Sequence, residues 1–299
     1  MLILETTGLK ALAKRFMKQS TPDVTVVVPI HNKEKYLGQC LASVLTQEGV
    51  ELEVICIDDA STDRSLEVVA QFEQGRRVRL VRNTTNIGAG KSRNIGIQSA
   101  RGRYLQFTDA DDLLPPNSLI RLLSAAKRAE AEVVQGRLQM FSGEVVLGRE
   151  TLYNTERVGS FESFPDLWIP WFHVSFLISR QLLRRSGALY PSLRIGEDPV
   201  FMAKVLTSAS SICCSNQQIT YLYRLDDDRR GQSAVTPTPL HVADYIEHAQ
   251  LVKEIYGEKN PKAWAAYREF IIPDIRLWLS RAHCNQETIR DLDERIAAL

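Results

Sequence analysis

Three carboxylates lie within four residues in the segment Thr108-Asp109-Ala110-Asp111-Asp112, and this acidic run is the part of the chain best suited to chemistry. Like charges so close together repel one another and are costly to bury unless a cation lies among them. Oxygen ligands of this kind suit Mg²⁺ or Mn²⁺, so the run predicts a site for one of these ions. The alternative is a solvated acidic turn that caps the following helix, because such turns are frequent.

A second acidic segment, Asp58-Asp59-Ala60-Ser61-Thr62-Asp63, follows an apolar run that predicts a buried strand. Asp63 is explained as the cap of the next helix, whereas Asp58 and Asp59 are not needed for capping. Either of these two can accept hydrogen bonds from a nucleotide base or a ribose. Because ligands of open α/β sheets bind at the carboxyl ends of the strands, we expect this segment to meet three residues from the preceding strand end: Pro29, His31 and Glu34.

A third acidic pair lies in Gly196-Glu197-Asp198-Pro199, directly before the helical stretch Val200 to Leu206. An acidic residue before a helix is favourable for capping and because of the helix dipole, which is the purely structural interpretation. The functional interpretation is a general base on a loop, which follows the part of the chain that would bind an acceptor substrate.

A fourth polar segment begins at Tyr223-Arg224 and continues through a charged stretch to Gln232-Ser233. An arginine and a serine on one flexible loop suit the binding of a pyrophosphate. The alternative is a charged surface loop, because residues 226 to 230 read D-D-D-R-R.

The segment Gly88-Ala89-Gly90-Lys91-Ser92 ends like a phosphate-binding loop but does not complete that motif. The motif needs a glycine five residues before its G-K pair, and the chain has Thr85 there. The dinucleotide pattern G-x-G-x-x-G also fails, because Arg93 stands at the third glycine position. Lys91 and Arg93 are still candidates to face phosphates across the cleft, and simple surface exposure is the alternative for Lys91.

Strand and helix patterns alternate through the first part of the chain, and this predicts an α/β domain with a largely parallel sheet. The predicted strands are Val24 to Ile30, Leu52 to Ile57, Val78 to Val81 and Tyr104 to Phe107. After Pro115 we expect a helix over 119–129, a hairpin over 132–147, and helices near Trp168 and over 199–208. The tail from about His241 is predicted to be helical, with breaks at Pro261 and Pro273.

Composition excludes several classes of protein. The 299 residues carry a net charge of +1, so no global charge attracts nucleic acid. Five cysteines without a C-x-x-C spacing argue against a disulfide framework or a zinc site, and they fit a reducing cytoplasm. The sequence shows neither a signal-peptide pattern nor an apolar run that is long enough to cross a bilayer, and we therefore expect a cytoplasmic protein.

Residues 9–18, L-K-A-L-A-K-R-F-M-K, form a basic amphipathic pattern near the start of the chain. Such a helix either rests on an anionic membrane surface or docks on its own domain or a partner chain, and docking is the commoner case. Membrane contact would place the protein at the inner face of the membrane. The helical tail is a candidate contact surface for a homo-oligomer.

Six motifs follow one another along the chain: V-V-V-P-I-H-N, I-D-D-A-S-T-D, N-I-G-A-G-K-S-R-N-I-G-I, G-R-Y-L-Q-F-T-D-A-D-D, G-E-D and Y-R…Q-S. In this order and spacing, over about residues 24 to 235, they resemble the family-2 inverting glycosyltransferases with the GT-A fold. This resemblance implies a Rossmann-like, mostly parallel central sheet with flanking helices. We expect a glycosyltransferase domain over 23–235, with a nucleotide-sugar half (about 23–115) and an acceptor half (about 116–235). An N-terminal segment (1–22) would precede it, and a helical C-terminal extension (236–299) would follow.

The resemblance also implies a role for each motif residue. Pro29, His31, Glu34 and Asp59 match positions that hold the nucleotide base, usually uracil, and Asp109 matches one that holds the ribose. Asp111 or Asp112 would bind the metal, Mn²⁺ or Mg²⁺. Asp198, with Glu197 beside it, matches the catalytic base. Arg224 and Ser233 match a loop that closes over the diphosphate, and Arg93 would also face the donor.

The implied reaction is a single displacement, in which a sugar moves from a nucleotide-sugar donor, a UDP-sugar, to an acceptor hydroxyl. The acceptor would be a carbohydrate or a glycolipid in surface polysaccharide biosynthesis. It would lie near an aromatic wall in 168–193, which contains Trp168, Trp171, Phe172 and His173. The alternatives are a catalytically silent binding protein and a sugar-nucleotide pyrophosphorylase, although the latter needs a glycine-rich basic loop where this chain has P-I-H-N-K-E.

Overall fold

The computed structural model describes residues 21–73, 77–142, 145–147, 156–170, 173–225 and 237–299. Within these ranges nine strands form a single mixed sheet. The strands are β1 (Val24–Ile30), β2 (Leu52–Asp58), β3 (Val78–Arg82), β4 (Tyr104–Phe107), β5 (Val133–Ser142), β6 (Val145–Leu147), β7 (Arg157–Gly159), β8 (Phe176–Ser179) and β9 (Ile212–Arg224). Their order across the sheet is β3-β2-β1-β4-β8-β5-β9-β7, and β6 pairs with β5.

Nine α-helices accompany the sheet within the same ranges. They are α1 (Leu37–Leu45), α2 (Ser65–Ala70), α3 (Ala89–Ser99), α4 (Ser118–Ala129), α5 (Arg180–Ser186), α6 (Glu197–Ser208), α7 (Pro239–Tyr256), α8 (Pro261–Arg281) and α9 (Gln286–Ala297). No helix among the described residues combines the length and the apolar composition that crossing a membrane requires.

The first four strands form the parallel part of the sheet, as the sequence predicts. β1 pairs in parallel with β2 and with β4, and β2 pairs in parallel with β3. Every residue of β2 is buried, which is typical of a strand covered on both faces. β8 then pairs antiparallel with both β4 and β5, and β5 pairs in parallel with β9. The prediction of a mostly parallel central sheet with flanking helices is confirmed.

The helices cover both faces of the sheet. Apolar side chains of α1, α2 and α4 form one buried cluster with alternate residues of β1 and β2. Residues of α5, α6 and the C-terminal helices form the other, which includes Val27 of β1. α3 packs on this second face through Gly96, where a Cβ atom would lie 2.3 Å from Cγ1 of Val27. Any larger residue at position 96 would push helix and strand apart.

The C-terminal helices differ from the prediction at one proline. Pro261 is the first residue of α8, where its missing N–H costs nothing. Pro273, predicted as a break, lies inside α8, and the helix continues to Arg281. The helix persists because one face is anchored by tertiary packing. The buried residues of this face recur every four positions, at Tyr267, Ile271, Ile275 and Leu279.

The strands of the second half were largely missed. Sequence patterns did not indicate β7, β8 or β9, and the helical material near Trp168 is a 3₁₀ turn at Pro165–Trp168. β9 reads I-C-C-S-N-Q-Q-I-T-Y-L-Y-R, and its polar middle breaks the apolar pattern of a strand. Pairing with β5 along one side satisfies its backbone, so tertiary context overrides the local signal. The predicted hairpin is present as the antiparallel pair β5 and β6.

Candidate active site

A cavity of about 450 Å³ opens at the carboxyl ends of β1, β2 and β4. This is the edge at which open α/β sheets bind their ligands. Six of the predicted site residues line the cavity: Pro29, His31, Asp59, Arg93, Asp109 and Asp111. The lining also includes Ile30, Lys33, Asn86, Gly88, Ala89, Ala110 and Tyr223. The structure therefore brings together residues from four of the motifs that the sequence places far apart.

Asp59 fixes the segment of the cavity wall that leads into α3. Its carboxylate accepts hydrogen bonds from Nδ2 of Asn83 at 2.8 Å, from the amide of Ile87 at 2.9 Å and from the amide of Gly88 at 2.8 Å. A carboxylate offers about four lone-pair sites, so three donors leave about one for a ligand. Nδ1 of His31 lies 2.8 Å from the backbone oxygen of Asp59, which fixes the imidazole at the cavity rim.

Glu34 is not brought to the cavity. Its exposed carboxylate accepts hydrogen bonds from the amide of Arg64 at 2.9 Å and from Nε of the same residue at 3.2 Å. These contacts tie the loop after β1 to the loop after β2. In the structure, Glu34 therefore serves the geometry of the rim, and the predicted contact with a nucleotide base has no counterpart in its placement.

Asp112 is buried beneath the cavity, with no exposed surface. Its Oδ2 accepts a hydrogen bond from the hydroxyl of Tyr221 at 2.7 Å, and its Oδ1 accepts one from the amide of Arg224 at 2.9 Å. Both oxygens are engaged with β9, and the side chain does not line the cavity. Of the two predicted metal ligands, Asp111 is the one that faces the cavity.

Asp111 has a protein cation as its neighbour. Nζ of Lys33 lies 2.6 Å from Oδ2 of Asp111, with the two side chains 20% and 6% exposed. Sequence reasoning missed Lys33, although its place two residues after His31 in the same loop was a usable signal. The pair neutralises one charge of the acidic run at the wall of the cavity.

Arg224 does not lie on a flexible loop as predicted, because β9 extends through it. Its Nε donates to the backbone oxygen of Asp111 at 2.7 Å, and its Nη2 donates to Oε1 of Gln39 at 2.9 Å. The guanidinium lies between the rings of Tyr36 and Phe141, 4.6 Å from each centroid. Arg224 therefore stabilises the backbone of the acidic run at Asp111. Ser233, the other residue assigned to that loop, lies outside the described residues.

Arg93 joins the cavity to the third acidic segment. Its Nη2 donates to Oδ1 of Asp109 at 2.8 Å, and its Nη1 lies 3.4 Å from Oε1 of Glu197 and 3.4 Å from Oδ1 of Asp198. Burial lowers the pKa of Arg93, but the charges of these three carboxylates outweigh burial and hold the pKa above its ordinary value. The guanidinium is therefore a permanent cation between the two acidic segments.

The two carboxylates at the start of α6 have different environments. Burial first, and then the charge of Asp198, raises the pKa of Glu197 to about 7. Burial also raises the pKa of Asp198, but His173 and Arg93 outweigh it and hold that pKa below its ordinary value. Carboxylates whose pKa values are driven apart are typical of an acid–base site. Asp198 is the one that stays ionised.

The two described residues of the predicted aromatic wall, Trp168 and His173, have different surroundings. Nε1 of Trp168 donates to the backbone oxygen of Phe161 at 3.2 Å, and the hydroxyl of Tyr256 donates to the backbone oxygen of Trp168 at 2.8 Å. Trp168 thus packs against the C-terminal helices. His173 instead points to Asp198, a contact that no sequence spacing indicated. Trp171 and Phe172 lie outside the described residues.

Comparison with known proteins identifies the family of this site. The family model described as Glycosyl transferase family 2 matches residues 25–186, more than half of the chain. The succinoglycan biosynthesis protein ExoO of Rhizobium meliloti is 31% identical over 219 residues, which cover 68% of this chain and 61% of that protein. The poly(ribitol-phosphate) beta-glucosyltransferase of Bacillus spizizenii is 28% identical over 72% of this chain, but only over 34% of its own length. The chain thus spans about three-fifths and about one-third of these two relatives.

A solved structure shows the same fold. The crystal structure of residues 1–349 of TarS from Staphylococcus aureus, in complex with UDP-GlcNAc, superimposes with a TM-score of 0.63. The match covers 92% of this chain and 88% of that chain, at 19% sequence identity. The likeness establishes a GT-A architecture, and the family match covers β1 to α5 with the acidic run at the cavity. On this evidence the chain belongs to glycosyl transferase family 2.

Proposed function

We propose that this chain is an inverting glycosyltransferase that moves a sugar from a UDP-sugar to an acceptor hydroxyl. The contact of Arg93 with both Asp109 and Asp198 carries the proposal. It sets an ionised carboxylate next to the wall of a cavity at the ligand-binding edge of the sheet. The relatives named for succinoglycan and poly(ribitol phosphate) support a role in building a surface polysaccharide or glycoconjugate.

Asp198 acts as the general base. Its side chain is 30% exposed, so an acceptor hydroxyl can reach it, and its depressed pKa keeps it ionised at neutral pH. Asp198 takes the proton of the acceptor hydroxyl as that oxygen forms its bond to the anomeric carbon. The bond from the anomeric carbon to the diphosphate oxygen breaks on the opposite side, which inverts the configuration. General-base catalysis of this kind contributes typically about 10²–10⁴-fold to the rate.

The leaving diphosphate needs positive charge, and Lys33, which lines the cavity next to the acidic run, is placed to supply it together with Arg93. We also propose a divalent ion, Mn²⁺ or Mg²⁺, at Asp111. The carboxylates of Asp109 and Asp111 line the cavity and offer the hard oxygen ligands that these ions prefer. Within the described ranges no cluster of three or more ligating side chains stands ready for a metal, so the donor's oxygens would complete the shell. When bound, such an ion supplies positive charge to the diphosphate.

Release of UDP from a panel of UDP-sugars, with Mn²⁺ and with a chelator, tests this function. We expect turnover with at least one donor, and we expect Asp198→Asn to lower kcat about 10²–10⁴-fold while the Kd for UDP stays unchanged. Asp293→Asn, an exposed change on α9 of the same type, is the matched control and should keep full activity.

Two outcomes would replace the proposal. If the wild-type protein binds UDP but releases none from any donor, the chain is a silent binding protein. If it instead forms a nucleotide sugar from a sugar phosphate and a nucleoside triphosphate, it is a pyrophosphorylase. The second readout needs its own mixture, which contains a sugar phosphate and a nucleoside triphosphate, and chromatography separates the products of both reactions.

The acceptor is proposed to be a carbohydrate or a glycolipid. If it is a lipid-linked acceptor, the basic residues 9–18 would bring the enzyme to the inner face of the membrane, although this segment lies outside the described residues. Sedimentation with vesicles that contain anionic lipid, compared between the full chain and a triple Lys10→Glu, Lys14→Glu, Lys18→Glu variant, tests that contact.

A further inference from the structure

His173 is a buried histidine, and among the described residues its one carboxylate neighbour is Asp198. The residue is 1% exposed, and its Nδ1 lies 2.9 Å from Oδ2 of Asp198. Neither Nδ1 nor Nε2 has a hydrogen-bond partner of ordinary geometry among the described residues, so the approach of Nδ1 to Asp198 is a close electrostatic contact. The rings of Phe107 and Tyr190 meet the imidazole edge-on, at centroid distances of 5.8 Å and 5.6 Å. A polar ring is thus buried among aromatic rings with a single contact to the proposed base.

The distance decides where the proton of a neutral imidazole lies. A lone pair on Nδ1 would lie within 2.9 Å of a carboxylate oxygen, and the two would repel each other. A proton on Nδ1 makes the same contact attractive, and a small rotation of either side chain would complete a charge-assisted hydrogen bond. The bare Nε2 then faces the aromatic rings. His173 is therefore the donor of this pair.

We propose that His173 is a positioning residue for Asp198, and this role rests on the proposed function. Nδ1 of His173 lies 2.9 Å from Oδ2, and Nη1 of Arg93 lies 3.4 Å from Oδ1, so each oxygen of the carboxylate has its own neighbour. The plane of the carboxylate is thereby fixed, with its remaining lone pairs free to face the acceptor. His173 itself meets no substrate, because its side chain is 2% exposed whereas that of Asp198 is 30% exposed.

The backbone around His173 is rigid enough for this role. His173–Ser175 form a 3₁₀ turn that leads directly into β8, which pairs with two strands. The side-chain amide of Gln106 in β4 donates a hydrogen bond to the backbone oxygen of Val174. His173 is thus anchored to the centre of the sheet, whereas Asp198 stands at the start of α6. The contact therefore joins the proposed base to β8, a strand in the middle of the sheet.

Two substitutions separate positioning from packing. His173→Phe keeps the ring volume but removes the donor, and it should lower kcat about 10–100-fold, because a misplaced base loses that much. His173→Asn places an amide nitrogen near the position of Nδ1, and it should stay within about threefold of the wild type. The Kd for UDP should stay unchanged in both variants. Tyr256→Phe, which removes a buried hydrogen bond to Trp168, controls for loss of a buried polar group.

The pH profile provides a readout that a packing role would not change. Asp198 is faced by His173, by Arg93 of α3, by Asp109 after β4, by the buried Tyr190 and by Glu197 on its own helix. Removing the donor at His173 takes away a contact that favours the ionised carboxylate. The acidic limb of the kcat/KM profile should therefore move to higher pH in His173→Phe and return toward the wild-type position in His173→Asn.

A double-substitution cycle decides the proposal. If His173 acts through Asp198, His173→Phe lowers the activity of the wild-type protein but has little further effect in the Asp198→Asn background. An equal loss in both backgrounds, or a loss in His173→Phe that Tyr256→Phe reproduces, would overturn the role. If the wild-type protein itself transfers no sugar, the proposed function fails first, which is a different result from an active wild type with an equally active His173→Phe.

Discussion

Nζ of Lys33 lies 2.6 Å from Oδ2 of Asp111, so the carboxylate that we propose as a metal ligand is paired with a protein cation. The ammonium and a divalent ion would compete for the same charge. We therefore expect Lys33→Met to tighten Mn²⁺ binding in the presence of UDP by about 3–10-fold, equivalent to about 1 kcal/mol.

A titration of Mn²⁺ followed by electron paramagnetic resonance measures this affinity. Lys35→Met removes the same charge from an exposed residue in the same loop and should change Mn²⁺ binding much less. Equal or weaker Mn²⁺ binding in Lys33→Met would show that the ammonium does not oppose the ion.

Arg93 is predicted to be essential to both stability and activity. Its removal would leave Asp109, Glu197 and Asp198 as like charges around a buried gap. Breaking a buried ion pair by removing one partner is strongly destabilising, so Arg93→Met should lower the free energy of unfolding by about 2–4 kcal/mol and abolish turnover. Urea unfolding measures the loss. Lys91→Met on the same helix, at an exposed position, should cost little, and an equal cost would contradict the assigned role.

Glu197 gives stability a pH dependence whose sign follows from its pKa. The folded protein raises this pKa from 4.5 to about 7, so it binds the proton more tightly than the unfolded chain does. The stability that this carboxyl group contributes is complete below pH 4.5 and is lost as the pH rises through about 7. The depressed pKa of Asp198 acts below its ordinary value of 3.8, outside this window.

Glu197→Gln should therefore flatten the fall in stability between pH 4.5 and about 7. At about 1.4 kcal/mol per pKa unit, the difference between the variant and the wild type should reach about 1–3 kcal/mol across the window. Urea unfolding at a series of pH values measures both curves. Parallel curves would mean that Glu197 is not the group that titrates.

Gly196 is predicted to be irreplaceable because the C-terminal helices press against it. Its φ is +80°, and a Cβ atom would lie 2.3 Å from Nδ1 of His248 on α7. His248 is fully buried, and its Nε2 lies 2.5 Å from the hydroxyl of Tyr267 on α8, so it has no room to withdraw. Gly196→Ala should thus shift the start of α6 and reduce kcat at least about tenfold, since small displacements of a base are costly.

Gly187→Ala is the matched control for this change. Gly187 also has a positive φ, +63°, but no heavy atom lies within 4 Å of its virtual Cβ. It should show only the backbone cost of a left-handed residue, about 1–2 kcal/mol, with kcat unchanged. Thermal unfolding and initial rates, measured for both variants, separate backbone strain from displacement of the site. Equal kcat values in the two variants would show that His248 does not constrain the start of α6, where Asp198 lies.

The nucleotide-binding part of the fold could be predicted from sequence because its signals are local. β1 and β2 are uninterrupted β-branched and apolar runs, and the polar groups that follow them had to converge at one edge of a parallel sheet. This reasoning predicted that Asp59 and Asp109 would lie at one edge, and both line the cavity. Lys33 was not predicted, because a lysine in a loop has no pattern of its own and only its place two residues after His31 indicated the cavity.

The second half depends on contacts between distant segments. β9 places Tyr221 and Arg224 next to the acidic run. The polar residues in the middle of β9 interrupt the alternation of apolar and polar residues that would predict a strand. His173 meets Asp198 only because β8 pairs next to β4, and an antiparallel insertion into a parallel sheet has no local signature. The low helix propensity of proline predicts a break at Pro273, but this propensity does not include the packing of the buried face of α8.

The single guanidinium shared by Asp109 and Asp198 also bears on how two substrates communicate. Under the proposed function, a donor that drew Arg93 toward its own oxygens would change the electrostatic field at Asp198, and an acceptor bound to Asp198 would change the hydrogen bonds that Arg93 offers the donor. Such coupling is reciprocal in equilibrium binding, so the factor by which the donor alters acceptor affinity equals the factor in the other direction. Substrate synergy is then a property of one side chain, and Arg93→Lys, which keeps the charge but loses the fork, would uncouple the two affinities.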